Sequence, residues 1–476
     1  MEPNLKIKSI NSVIWSAIER FSVQGIQFLL NLVVARLVSP SDYGLIAMLG
    51  IFLAIGQSFV DSGFTNALIQ KQNRTNTDFC TVFYFNIIIA TLIYTLLYFL
   101  SPYIASFYRV PELEVVTKWI SLGLIISSFS TVQQAKLTIN LNFKKQAKLS
   151  LFAVVLSGIG GISLAWTGYG VWALVFQALS RNIIYTALLW LSSDWKPRLI
   201  FSWDSFNDLF GFGFKLLLGG IIHTIYTNLY TLVIGRKFSS LDVGFYNRAQ
   251  TLAAFPSENL TTVITRAIYP IQCQIQDDEE QLTKTFIQYL RLTIFIIFPL
   301  LICLSILAKP LLSILLTEKW VPASEYLSIL CLAYMCQPIQ YINWQIITVK
   351  GRTDLTLKAE IVKKIIAFTI LFITIPFGIK VMCWGLLLYG LCDICIIIFF
   401  VKKVIKVGYL TELKNIIPIL LLSLAMGFLV YISTLFTEIL FLKLLLGIVT
   451  SIVSYVALAY LFKFKESLFF ISILNK

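Results

Sequence analysis

Apolar runs of about 20 residues, separated by short polar breaks, repeat along nearly the whole chain. At 1.5 Å per residue, a run of that length crosses a hydrocarbon core of roughly 30 Å as a single helix. Runs near 12–36, 42–66, 79–101, 115–138, 149–167, 169–191, 209–235, 243–268, 287–308, 323–347, 359–377, 380–400, 414–434 and 440–462 predict about fourteen transmembrane helices. The breaks are short. The longest, from Gln272 to Lys284, reads as an exposed amphipathic connector, and none has the length and patterning of a soluble domain.

Composition agrees: of 476 residues, 58% are apolar and 13% charged, and the mean hydropathy is +0.83. A soluble enzyme of this size has nowhere to bury so much apolar surface. Met1 to Ile10, with Lys6 and Lys8, looks like the start of a leader, but the apolar stretch after it is too long and lacks a small-residue cleavage site. It reads as an uncleaved first span. Lys71, Arg74, Lys144, Lys145, Lys148, Lys196, Arg198, Lys350, Arg352, Lys358, Lys402, Lys403, Lys406, Lys463 and Lys465 fall on one side of the alternating spans, whereas fewer, chiefly Arg36, Arg109, Arg236, Lys237, Lys309, Lys319 and Lys380, fall on the other. Lysine and arginine accumulate on the cytoplasmic side, so both termini are expected in the cytoplasm. The net charge of +14 is then an orientation signal and a contact with anionic lipid headgroups rather than a nucleic-acid footprint. Of the eight cysteines, Cys303, Cys331, Cys336, Cys383, Cys392 and Cys395 sit inside predicted spans as small apolar residues. With one histidine in the chain, the Cys392 and Cys395 spacing predicts no metal site.

The chain also repeats itself. Leu32 to Arg36, followed by Ser39, Asp42 and Gly44, returns 200 residues later as Leu232 to Arg236 followed by Ser239, Asp242 and Gly244, and the same offset pairs Thr65 with Thr265 and Ala67 with Ala267. Trp172 to Leu174, leading to Arg181, resembles Trp384 to Leu386, leading to Asp393. The matching segments lie an even number of spans apart, so both copies run the same way through the bilayer. The expected architecture is an all-α integral membrane protein with two parallel six-helix lobes around a central cavity, residues 1–200 and 201–405, and a C-terminal helix pair in 406–476. Within the repeated motif, Arg36 and Arg236 complement helix C-termini, and the serines and aspartates cap the next helices.

Arg36 to Gly44, Ala67 to Gln70 after Asp61 to Gly63, Val243 to Ala249 with Pro256 and Pro270, Trp320 to Ala323, and Lys350 to Asp354 stand in an order and spacing that resembles the Wzx-type polysaccharide flippases. These belong to the multidrug/oligosaccharidyl-lipid/polysaccharide exporter superfamily. The resemblance covers roughly the first 400 residues. It implies translocation of an undecaprenyl-pyrophosphate-linked oligosaccharide repeat unit, of O-antigen, capsule or exopolysaccharide type, from the cytoplasmic to the periplasmic leaflet of the bacterial inner membrane by alternating access. It also implies a transporter rather than an enzyme, with membrane lipids and the polysaccharide polymerase and chain-length machinery as partners. A multidrug or cation exporter of the same superfamily is the main alternative. A membrane-embedded polymerase or glycosyltransferase is the second, and it lacks the large extramembrane loop such enzymes carry. No Walker motif is present.

Such a cargo has an apolar tail at home in lipid and a charged head that is not, so the head needs a polar, cationic path. Glu19, Arg20, Arg181, His223, Glu258 and Asp393 fall deep inside predicted spans, while Lys118, Lys136, Arg248 and Arg266 lie nearer span ends, where they either snorkel or line the path. Head-group candidates are Arg20, Arg181, Arg248, Arg266 and His223; coupling or gating candidates are Glu19, Glu258 and Asp393. Glu258 follows Pro256, which removes a backbone hydrogen bond inside its helix. Arg181 and Asp393 occupy equivalent positions of the two lobes with opposite charge, as a gate pair or as separate ligand contacts. The structural alternative is that Glu19 or Asp393 forms an ion pair holding helices together. No bound cofactor is expected; coupling to a proton or sodium gradient is.

Overall fold

A computed structural model describes residues 22–61, 64–71, 73–140 and 142–466. Among the described residues the secondary structure is helical, without strands. They pack as two compact units, one up to Gly244 and one from Phe245.

The first unit contains α1 (described from Ser22 to Leu37), α2 (Pro40–Asp61), α3 (Phe64–Gln70), α4 (Asn76–Tyr108), α5 (Glu112–Ile120), α6 (Leu122–Ser128), α7 (Thr131–Ile139), α8 (Phe143–Trp166), α9 (Val171–Leu191) and α10 (Trp203–Lys237). Next, α11 (Ser240–Gln274) starts in the first unit and continues into the second. The second unit adds α12 (Glu279–Ile306), α13 (Ala308–Leu316), α14 (Ala323–Tyr334), α15 (Cys336–Val349), α16 (Thr353–Thr374), α17 (Ile379–Val401), α18 (Tyr409–Leu435) and α19 (Leu440–Leu461). Among the described residues eight helices are long and apolar enough to cross a membrane, and α5–α6 with α7 makes a ninth if that bent pair is one span. The other expected spans fall on α1, which is described only from Ser22, on the broken pair α14 and α15, and on the long but more polar α10, α11 and α16.

Two expected single spans are broken, each for a local reason. Residues 115–138 divide into α5, α6 and α7, with a bend of 43° before α7. Here Ser121, Ser128, Ser130 and Thr131 donate their hydroxyls to the carbonyls of Thr117, Ile125, Ser127 and Ser128. Side-chain donors of this kind compete with the helix's own amides and bend it. Residues 323–347 divide into α14 and α15 at Met335, three residues before Pro338, which has no amide hydrogen to return to Tyr334. The expected connector from Gln272 to Lys284 is a correction: α11 runs to Gln274 and α12 starts at Glu279. Gln272 is buried, its amide oxygen accepting from Gln345 Nε2 at 2.8 Å. Neutral polar groups in this sequence hide inside the bundle as well as in breaks.

The repeated motif has a direct structural meaning. Ser39 Oγ donates to Asp42 Oδ2 at 2.6 Å and accepts from the Asp42 amide at 3.1 Å; Ser239 and Asp242 do the same at 2.7 and 3.2 Å. These reciprocal bonds cap α2 and α11. Gly44 then faces the Ser240 carbonyl and Gly244 faces the Pro40 carbonyl so closely that a Cβ would lie 1.7 and 1.9 Å from those oxygens. The starts of α2 and α11 therefore cross with backbone against backbone, and Ser41 and Ser240 share a 2.7 Å hydroxyl hydrogen bond there.

Further on, Gly351 turns the chain at φ +69°. Arg352 donates through Nε and Nη2 to the two oxygens of Asp354, both at 2.9 Å, which holds that carboxyl down to about 2. This fork at the start of α16 gives the Lys350 to Asp354 motif a structural role.

Candidate functional site

Among the described residues a group of charges gathers in the second unit, on α16, α17 and α11, with polar partners on α15. Glu360, Lys363 and Lys364 share one face of α16 because residues three and four apart stack on consecutive turns. Lys363 Nζ donates to Glu360 Oε1 at 2.8 Å and lies 3.2 Å from Asp393 Oδ1 on α17. Lys364 Nζ is 3.7 Å from Glu360 Oε2. Asp393 is 3% exposed and also accepts at Oδ2 from the Tyr389 hydroxyl at 3.3 Å. Gly390, one turn earlier on α17, lets α15 close in: Gln340 Nε2 donates to the Gly390 carbonyl at 3.1 Å, and a Cβ on Gly390 would touch Cys336.

From α15, Gln337 Nε2 reaches Glu258 Oε1 on α11 at 3.5 Å. Half-exposed Tyr341 stands in the field of Glu258, Lys363 and Glu360. Ser257, between Pro256 and Glu258, donates to the Tyr334 carbonyl at 2.9 Å, fixing α11 against α14 where the proline has removed a helical bond. Glu258 is exposed. With three carboxylates and two ammonium groups, the cluster carries a net charge of −1 when all are ionised. Its two ammonium groups are each paired with a carboxylate.

Lys363 lies ten residues into α16, about 15 Å along its axis. A charge that deep is tolerated when it is paired, and Lys363 has two carboxylates beside it.

The remaining sequence-derived candidates are dispersed. Arg181 on α9 is half-buried and donates from Nη1 to Gln27 Oε1 on α1 at 3.1 Å. Arg248, expected near a span end, is 6% exposed and sits 6.0 Å from the ring of buried Trp320, so it packs inside rather than snorkelling. Arg266 is exposed on α11. Lys118 pairs with Glu114 at 2.7 Å and covers Tyr98; Lys136 lies over Phe79 and Trp195. Glu19, Arg20 and the side chain of His223 lie outside the described residues. The ion pair weighed for Asp393 as a structural alternative exists, with Lys363 of its own unit as partner.

Sequence reading missed Glu360, Lys363 and Lys364. They follow Lys358 at the edge of a predicted span, where basic residues look like a loop flank. The signal that finds them is the spacing of one acid followed three and four residues later by two bases. Buried Glu412 on α18, which accepts from Asn343 Nδ2 at 3.0 Å, was also missed.

Three comparisons bear on this arrangement. An uncharacterized membrane protein in the cps region of Klebsiella pneumoniae is 25% identical, with 93% of this chain and 94% of that protein aligned. Lipopolysaccharide biosynthesis protein WzxC of Escherichia coli (strain K12) is 25% identical across 76% of this chain and 74% of its own length. In three dimensions, lipid II flippase MurJ in its inward closed conformation matches with a TM-score of 0.77 at 16% identity, covering 94% of this chain and 98% of that one, a likeness of fold. The Wzx-type resemblance carried by Arg36 to Gly44 and the later motifs is borne out. A family model described as polysaccharide biosynthesis protein matches residues 33–325, more than half of the sequence, and the chain belongs to that family.

Proposed function

We propose that this chain is a flippase that carries an undecaprenyl-pyrophosphate-linked oligosaccharide from the cytoplasmic to the periplasmic leaflet of the bacterial inner membrane, with both termini cytoplasmic. The observation that carries the reading is a family of polysaccharide biosynthesis proteins realised as a bundle whose titratable groups gather on helices α11, α15, α16 and α17. A saccharide synthesised on a lipid needs its head moved past hydrocarbon while its tail stays in lipid, and helix-borne charges supply the polar surface for that. The relatives' names point the same way, one a lipopolysaccharide biosynthesis protein and one a lipid II flippase.

In this reading Arg20, Arg181, Arg248, Arg266 and His223 contact the head, and Glu19, Glu258 and Asp393 couple or gate. The lobes are the sequence repeats 1–200 and 201–405, with 406–476 as an extension, built of about fourteen spans. Moving two negative charges outward across about 100 mV releases roughly 4–5 kcal/mol, enough to bias transport before any ion gradient is added.

The test is reconstitution in liposomes with a fluorescent undecaprenyl-pyrophosphate oligosaccharide in the inner leaflet. The expected result is protein-dependent appearance of label in the outer leaflet. Efflux of small organic cations without lipid movement would instead favour a multidrug exporter.

A further inference from the structure

Lys363 has three protons to give and two carboxylates to receive them, but the two contacts are unequal. Its hydrogen bond goes to Glu360 Oε1 at 2.8 Å. Asp393 Oδ1 is close, at 3.2 Å, yet this buried oxygen receives no aligned hydrogen bond. At Oδ1 the carboxylate of Asp393, 3% exposed and with little water to stabilise it, is held by the field of the ammonium, while its directed bond comes from the Tyr389 hydroxyl at Oδ2. The other groups facing it are Glu360 and Lys364 from α16, Cys336 from α15 and Tyr389 on its own helix, while Tyr341 from α15 faces Lys363 and Glu360 and, on its other side, Glu258 from α11.

Building on the flippase reading, we propose that Lys363 is a masked anion-binding lysine, held by ionised Asp393 and released to the diphosphate of a lipid-linked saccharide when Asp393 takes up a proton. The step moves one proton from a solvent hydronium to Asp393 Oδ1, breaking one O–H bond and forming another and leaving water; Lys363 keeps its own three protons. The cluster then passes from a net charge of −1 to zero, and the ammonium loses the partner that pins it between α16 and α17. What remains is the pair with Glu360, a partly exposed neighbour on the same helix, which is a weak competitor for a doubly charged ligand. Lys363 sits on a flexible four-carbon stem, so its head can swing from one partner to another. Partly exposed Lys364 and half-exposed Tyr341 provide the outward edge through which an anion reaches it.

By linkage, a proton that strengthens anion binding is itself taken up when the anion binds. Binding should therefore tighten as pH falls.

The probe is UDP-glucose, whose diphosphate is substituted at both ends and keeps its charge between about pH 6 and about pH 8. Titration calorimetry on the purified full-length chain should show about tenfold tighter binding at the lower pH, with proton uptake seen as a heat that changes with the buffer's ionisation enthalpy. Asp393→Asn imitates the protonated state, so it should bind at about pH 8 as the unaltered protein does at about pH 6, without the pH dependence. Lys363→Met should bind about tenfold more weakly than the unaltered protein at about pH 6 and differ little from it at about pH 8, where the lysine is masked. The double variant, which buries no unmatched charge from this pair, controls for folding and should be weak and pH-independent. Affinity independent of pH in the unaltered protein, no binding at all, pH dependence surviving in Asp393→Asn, or unchanged affinity in Lys363→Met at about pH 6 would each overturn the proposal. Intact linkage in a protein that moves no lipid-linked saccharide in liposomes overturns the flippase reading instead, and the converse overturns only the masked lysine.

Discussion

Two glycines carry a load that composition does not reveal. A methyl group at Gly44 lands 1.7 Å from the Ser240 oxygen, which is backbone and has no rotamer through which to retreat, so the starts of α2 and α11 must move apart. Gly44→Ala should therefore cost about 1–3 kcal/mol or more and lower the melting temperature of the purified protein. Gly50→Ala on the same helix meets only the Asn228 side chain at 3.7 Å and should melt like the unaltered protein, because added helix propensity offsets a mild contact. Equal effects at the two positions would refute the backbone-contact argument. The sequence repeat marked both glycines by their common spacing from the capping Ser39 and Ser239, and it gave the capping role. It did not give the crossing, because two helix starts 200 residues apart in sequence meet only through the fold. The same limit hid the Lys363 pair: Asp393 was legible as a deep charge, but its partner on α16 looked like part of a basic flank.

At the scale of elements, helices were easy to read and their interruptions were not. An apolar run in lipid has one way to satisfy its backbone, so α2, α4, α8, α9, α12, α17, α18 and α19 follow from the pattern alone. Whether a serine in such a run breaks the helix depends on which carbonyl its hydroxyl finds, as at Ser121 and Ser130. Another device beyond the pattern clamps the segment after α19. Arg291 on α12 grips both oxygens of Glu466, the Nη2 to Oε2 contact measuring 3.0 Å, and its Nη1 donates to Asn415 Oδ1 on α18 at 3.3 Å. Glu466 is 8% exposed, so this bidentate pair is shielded from solvent far better than a surface one. Glu466→Ala leaves a half-buried guanidinium without its carboxylate. It should accelerate hydrogen exchange in the last turn of α19 by about tenfold or more while leaving α8 and α9 unchanged. Unchanged exchange around Leu461 would show that apolar packing alone holds the end of α19 in place.

For the whole molecule, contacts inside each unit bring together chain ends that the charge pattern assigns to one side of the membrane. In the first unit Trp195 Nε1 donates to Asn76 Oδ1 at 2.6 Å, Lys145 reaches the Ser192 carbonyl, and Lys71 lies 3.5 Å from Asp208; all six residues belong to the expected cytoplasmic side. In the second unit Lys406 lies 3.9 Å from Glu279, and Arg291 binds Glu466, again on that side. Lys380 with Glu325 at 3.0 Å pairs two residues expected on the opposite side. A topology wrong by one span anywhere between two partners would have separated them by the thickness of the bilayer, roughly 30 Å. The parity of the helices between these partners is therefore tied to packing as well as to hydropathy, and what remains to be fixed is which side is which. By lysine and arginine density the side holding Lys144, Lys145, Lys402 and Lys403 is the one expected in the cytoplasm. Reporters fused after Lys403 and after Lys319 should accordingly be active in the cytoplasm and outside it, respectively. A reversed pair of readouts would turn the whole bundle over without disturbing any contact within it, whereas the same readout at both sites would break the parity and with it the link between charge pattern and packing.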